Sequence, residues 1–168
     1  MTLPRKIYLA VLLIVAAGLV VARLPGGSSV SAPEQPIDFS HRQHAGESRI
    51  SCQYCHSAAS RSTEAGVPSV ATCYGCHRLL KLEHPEISKL VRYWEDRQPI
   101  QWERVYSLPE HVYFSHKRHG QAGVGCETCH GDLRTADRVS QFAPLTMGWC
   151  VDCHQQRGAM VECSTCHQ

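Results

Sequence analysis

The 168-residue chain has few aliphatic side chains beyond residue 24, three phenylalanines in all, and aromatics at 7% of its residues. Such a chain cannot bury an apolar interior of the size its length suggests. A conventional globular core is therefore excluded unless something other than side chains supplies apolar surface. An excess of one charge is also missing. Seventeen Lys and Arg against fifteen Asp and Glu leave a formal +2, which gives no ground for a nucleic-acid partner. No cysteine stands outside a Cys-x-x-Cys pair, so none is left for a lipid anchor. The βαβ context that a thioredoxin-like redox pair needs is absent too.

What is present is concentrated in those pairs. Cys52/Cys55, Cys73/Cys76, Cys126/Cys129, Cys150/Cys153 and Cys163/Cys166 use all ten cysteines, and each pair is followed at once by a histidine: His56, His77, His130, His154 and His167. At this composition a chance His after all five pairs is on the order of one in a million. Disulfides in an exported domain predict no such histidine. Zinc sites built from cysteine pairs would leave a fifth pair without a partner, and a His directly after the second Cys is poorly placed to share a tetrahedron. Cys-x-x-Cys-His is the attachment motif of c-type haem. Two thiols add across the vinyl groups and the histidine becomes the fifth iron ligand. The expectation is five covalently bound c-type haems, whose porphyrins replace the missing interior. Attachment and folding are then one event. Ten propionates would take the net charge from +2 to about −8.

The motifs repeat. Phe39-Ser-His-Arg-Gln-His44 precedes two attachment sites, and Phe114-Ser-His-Lys-Arg-His119 precedes three. The copies are offset by 75 residues at Phe39/Phe114, 74 at Cys52/Cys126 and 77 at Cys73/Cys150, the mark of an internal repeat. Residues 37–84 read as a dihaem module, 85–111 as a haem-free connector and 112–168 as a trihaem module. In the connector, Ile87, Leu90, Val91 and Trp94 recur at helical spacing behind Pro85, which predicts a short helix ending before Pro99. Ile100 to Tyr106 alternates weakly and reads as extended. Tyr93, Trp94 and Trp102 are candidates for covering haem edges or docking a partner, with plain packing the preferred reading. The fold expected is a multihaem cytochrome c, mostly coil with short α-helices at the attachment sites, a haem-filled core and little sheet.

Ile7 to Ala22 is a run of sixteen residues without charge, between Lys6 and Arg23. It is long for a signal-peptide core and just short of a full span of roughly twenty residues. Val30-Ser31-Ala32 offers a peptidase site, whereas snorkelling by Lys6 and Arg23 and the flanking Leu3 and Leu24 could complete a span. The reading adopted is a retained N-terminal transmembrane anchor over residues 1–24, with 25–36 as a Gly/Ser/Pro-rich linker. Basic residues ahead of the span place the N-terminus in the cytoplasm and the haem modules on the periplasmic side of the inner membrane.

Beyond the five proximal histidines remain His41, His44, His84, His111, His116 and His119, with Met147 and Met160 as sulfur candidates. His41/His44 and His116/His119 lie three residues apart on one helical face, so each pair can serve two irons. The Phe-Ser-His-x-x-His pattern resembles the small class III trihaem and tetrahaem cytochromes c. That resemblance implies His41 for the His56 haem, His44 for His77, His116 for His130 and His119 for His154. In those proteins the last haem takes a His just before the preceding attachment site, where this chain has Met147. Met147 is accordingly expected to ligate the His167 haem and give it the highest potential, with His84 or His111 as the alternatives. Ten protein ligands leave no iron open for substrate, and no catalytic residue is expected.

A second resemblance covers almost the whole chain. Ala65-Gly-Val-Pro-Ser69 before Cys73, Pro99-Ile-x-Trp-x-Arg-Val-x-x-Leu-Pro109, Gly123-Val-Gly-Cys126 and Met147-x-Trp149-Cys150 look like the pentahaem subunit of alternative complex III, a bacterial quinol oxidoreductase. The resemblance implies a non-catalytic, electron-conducting subunit. Its partners would be an iron–sulfur subunit, polytopic quinol-binding membrane subunits and a monohaem cytochrome c. A soluble cytochrome c, a copper protein or an oxidase would be the acceptor. The rival readings are a single-span multihaem quinol dehydrogenase feeding a periplasmic reductase, and a free periplasmic electron shuttle.

Overall fold

The computed structural model describes residue 7 and residues 32–167. The expected anchor, and the linker as far as residue 31, lie outside the described residues apart from Ile7. Among the described residues no helix is long and apolar enough to cross a membrane.

Residues 32–167 are short helices joined by coil. A π-helical turn spans Arg42–Glu47. It is followed by α1 (Cys52–Cys55), α2 (Val70–His77), α3 (Pro85–Glu95), α4 (His116–Gln121) and α5 (Glu127–His130). A 3₁₀ turn covers Leu133–Thr135, and α6 (Met147–Gln156) and α7 (Cys163–Cys166) complete the order. Ile100 to Tyr106 forms no strand. In its place Gln35 bonds the backbone of Glu103 from both ends of its amide, donating to the carbonyl at 3.0 Å and accepting from the N–H at 2.9 Å. Among the described residues the strand-like pairing is a single antiparallel bridge, Val112 to His167.

The connector helix α3 begins where Pro85 suggests, because proline at the first helical position gives up an N–H that has no partner there anyway. His84 caps it, its ring Nδ1 accepting from the Glu86 N–H. The apolar stripe turns Leu90 inward to 3% exposure, where it meets Ile37 and Ile100, with Val70, Cys73, Tyr93 and Trp102 packed around them. Trp94 stays partly exposed and stacks on Tyr74, ring centres 4.5 Å apart. Among the described residues only Ile37, Leu90, Ile100 and Ala143 are buried hydrophobics, and no large side chain is fully enclosed. Leu90 lets this small cluster be weighed. Leu90→Ala is expected to lower the stability of the haem-loaded protein by about 2–5 kcal/mol, read from thermal melts followed in the Soret band; an unchanged melt would show that the cluster holds nothing together.

Two further contacts lock the modules. The π-helical turn lies against the 3₁₀ turn so closely that a Cβ on Gly46 would collide with the Arg134 carbonyl. Nearby, Arg42 pairs with Asp137 through one terminal nitrogen that reaches both carboxylate oxygens, at 2.8 and 2.7 Å, and Arg138 pairs with Asp38 at 3.0 Å. All four side chains are more than half exposed, so these pairs set register more than stability.

Candidate haem-binding sites

Each Cys-x-x-Cys-His lies on a helical turn: α1 and α7 carry their pairs directly, while α2, α5 and α6 include the histidine. In a helix, residues i, i+3 and i+4 share a face, which applies directly to α2 and α6, whose spans include both cysteines and the histidine. No two of the ten cysteines are joined in a disulfide. Burial raises Cys55, Cys73, Cys126, Cys129 and Cys150 above the ordinary thiol range.

The protein's own side chains cover the attachment cysteines unequally. Cys76 is exposed, as are Cys52, Cys126 and Cys163, whereas Cys55, Cys73, Cys129, Cys150, Cys153 and Cys166 are half-buried. For Cys76 the reason is the one-sided cover of α2. Helix α3 packs on α2 and draws Cys73 into the Ile37, Leu90 and Ile100 cluster, leaving its partner thiol on the open side. Cys76 still lies near Cys55 of the neighbouring turn, so it fits an attachment cysteine at the rim of its site rather than one in the interior.

Opposite the histidines of these turns stand five other rings. His41 faces His56 with ring centres 6.5 Å apart and planes 5° from parallel. His44 faces His77 at 6.0 Å, His116 faces His130 at 6.4 Å, and His119 faces His154 at 6.0 Å. An imidazole nitrogen lies about 2 Å from a metal it binds, so two rings ligating one metal from opposite sides have centres about 6 Å apart. The gaps suit a single metal between each pair. Among the described residues no three His, Cys, Asp or Glu side chains converge as a metal site. Two axial ligands per site fit a metal that brings its own equatorial ring, with two thiols at the edge to fasten it. The residues fit haem c.

The fifth pair differs from the sequence expectation. Met147 opens α6 behind its cap Thr146 and is 69% exposed. The ring opposite His167 belongs to His111, at 5.6 Å and 22°. The physical reason is the bridge between Val112 and His167, closed by the Tyr113 N–H donating to the Cys166 carbonyl at 2.7 Å. It lays the chain just before the second repeat alongside the last attachment turn. His84 is accounted for differently. Its Nδ1 accepts a backbone N–H, so in the neutral ring the proton sits on Nε2 and that nitrogen has no free lone pair.

Hydrogen bonds fix six of the paired rings in the opposite tautomer. The Nδ1 atoms of His44, His56, His116, His119 and His154 lie 2.6–3.0 Å from the carbonyls of Ser40, Gly66, Thr63, Ser115 and Met160, and His77 lies 3.3 Å from Leu80. A carbonyl only accepts, so Nδ1 carries the proton and Nε2 is free to ligate. His41 has a buried Nδ1 without a partner. Burial, then the neighbouring His56, His44 and His130, lower its pKa to about 4, and burial also lowers that of His130. Both shifts favour the neutral ring, the form that can bind a metal.

The residues around the paired histidines explain the repeated Phe-Ser-His-x-x-His. Phe39 stands edge-on to His41 and stacks on His44, at 4.9 and 4.3 Å; Phe114 repeats this with His116 and His119 at 4.8 and 4.5 Å. The serine starts the turn, its hydroxyl accepting from the third following N–H: Gln43 at 3.1 Å in one copy, Arg118 at 3.4 Å in the other, as capping serines do. Tyr106, not singled out in the sequence, stands 4.6 Å from the His130 ring. Its hydroxyl accepts from the Phe142 N–H at 2.9 Å and donates to the Ser140 or Cys129 carbonyl. Beside it, Gly131 ends α5 at φ 70°, where a Cβ would press on the Phe142 ring at 3.0 Å.

Comparison with known proteins agrees with this chemistry. The model of cytochrome c7 and related cytochromes c matches residues 112–168, and that of the class III cytochrome c family matches residues 20–104. The multiheme cytochrome c subunit of a menaquinone reductase from Nitratidesulfovibrio vulgaris (strain Hildenborough) is 30% identical, over 89% of this chain and 78% of that protein. Cysteine turns, opposed imidazoles and these matches converge: the chain is a multihaem electron-transfer protein and belongs to the class III cytochrome c family.

Proposed function

We propose that the chain binds five haems c, each held between two histidines, and serves as the electron-conducting subunit of a membrane-bound quinone-linked oxidoreductase. The observation that carries this is the set of five opposed imidazole pairs at 5.6–6.5 Å. The pairs are His41/His56, His44/His77, His116/His130, His119/His154 and His111/His167. Haem held there supplies one-electron chemistry. The paired histidines would hold the group, six of them with the tautomer fixed by a backbone carbonyl, and with two protein ligands at each site none would be left open for a substrate.

The proposed setting is a complex of the alternative complex III type at the inner membrane. An N-terminal anchor would tether the haem modules on the periplasmic side. Iron–sulfur and polytopic quinol-binding subunits would be the partners, and a soluble cytochrome c, copper protein or oxidase the acceptor. The relative in N. vulgaris is a menaquinone reductase subunit, which favours a second reading with the same parts run towards the quinone. The native assembly purified from membranes decides between them: quinol-dependent haem reduction is expected for the first, and quinone-dependent oxidation of the prereduced haems for the second. A haem content below five per chain by pyridine haemochrome, or recovery of the chain in the soluble fraction without partners, would overturn the proposal.

A further inference from the structure

Along the chain the attachment sites come in the order His56, His77, His130, His154, His167. Their neighbours in space follow another order. Within each module, one Phe-Ser-His-x-x-His turn supplies a facing ring to two sites, so the His56 and His77 sites adjoin across His41 and His44, and the His130 and His154 sites across His116 and His119. The question is which member of the first pair meets the second module.

The contacts single out the His56 site. The loop after His56 delivers the Thr63 carbonyl to both the backbone N–H and the ring Nδ1 of His116, at 2.9 and 3.0 Å, and the Ser62 carbonyl to the Lys117 N–H at 3.0 Å. The Cys52 and Cys126 side chains are within hydrogen-bonding reach. The His77 site is covered on a different side. There α3 packs on α2, Trp94 stacks on Tyr74, and Cys73 joins the Ile37, Leu90 and Ile100 cluster. The same pattern of neighbouring cysteines continues outward. Cys55 is close to both Cys73 and Cys76, as are Cys129 to Cys153 and Cys150 to Cys166. At the other end the His167 site is fastened to residues 111–113 by the Val112 bridge.

We propose that the five sites stand in single file in the order His77, His56, His130, His154, His167, with the first two sites of the sequence exchanged in space. The inference rests on the five-site reading above. It leaves the His77 and His167 sites as the two ends, so a one-electron donor protein and a one-electron acceptor protein meet the chain at opposite extremities. Each exchange oxidises one partner and reduces the other by a single electron, with no bond made or broken. The design has a local cause. The His-x-x-His turn sets the two sites of a module side by side, and of the two attachment turns in the first module it is the loop after the first, not the second, that bonds the second Phe-Ser-His-x-x-His turn.

Nuclear Overhauser contacts between haem substituents in the fully reduced, low-spin full-length holoprotein test the order, with assignments anchored through each site's own cysteine and histidine protons. Contacts are expected between the His56 and His130 haems and between the His154 and His167 haems. A direct contact between the His77 and His130 haems, without one between His56 and His130, would overturn the order while leaving five haems in place. Fewer than five haems would remove the five-site reading and the order with it. The two failures are told apart by the haem count alone.

Discussion

His111→Ala is expected to open one haem in five. The reduced holoprotein should gain a carbon monoxide site of about one equivalent per chain, and the oxidised protein a high-spin signal from a single centre, while Met147→Leu leaves both unchanged. The reason is geometric. His111 presents a ring 5.6 Å from His167, whereas Met147 lies in the first turn of α6 with most of its side chain in solvent. His111→Met is the sharper variant. It keeps a ligand of suitable reach but exchanges imidazole for thioether, which favours the ferrous state, so one haem should rise in potential without becoming open. If Met147→Leu opened a site and His111→Ala did not, the assignment of the last pair would be reversed.

The second large effect concerns where a haem is lost. The Cys126→Ala/Cys129→Ala double variant is expected to cost far more than one haem. That site pairs His130 with His116, its Cys126 lies within hydrogen-bonding reach of Cys52 in the other module, and Tyr106 and Phe142 are arranged around it. The buried side chains left to hold the modules together are few, so the two halves should separate. The outcome should be loss of the remaining low-spin spectrum and rapid proteolysis between residues 77 and 116. Cys163→Ala/Cys166→Ala, at one end, is expected to remove one haem and spare four. Equal damage from both variants would mean that the haems contribute alike wherever they sit, contrary to a core strung along a line.

The attachment turns were legible in the sequence because thioether chemistry dictates spacing: two vinyl groups and one iron require Cys, Cys and His at i, i+3 and i+4. How deeply each thiol sits was not legible, since Cys73 and Cys76 read alike until α3 covers one and leaves the other open. The facing rings of the two Phe-Ser-His-x-x-His segments were accessible because three residues is close to one helical turn. Helix α3 followed from Pro85 and the Ile87, Leu90, Val91, Trp94 stripe. His111 was not legible as more than an alternative. Its partner lies 56 residues later, and what joins them is a backbone bridge that no side-chain period announces. Met147 drew attention by standing where the class III resemblance implies a histidine, a local analogy that says nothing about which segment folds over the last turn. Phe39 and Phe114 were read as part of a motif without a role; their stacking on two rings at once emerges only in three dimensions. Tyr106 carried no signal at all, being one aromatic in a weakly alternating stretch.

The union of residues 111–113 with 166–167 has a consequence for folding. It gathers a loop of 56 residues, wider than that between the members of any other pair, and so carries the largest entropic cost of closure. The shorter loops can be gathered independently of it, which makes this clasp the pairing most sensitive to lengthening of the chain between its two halves.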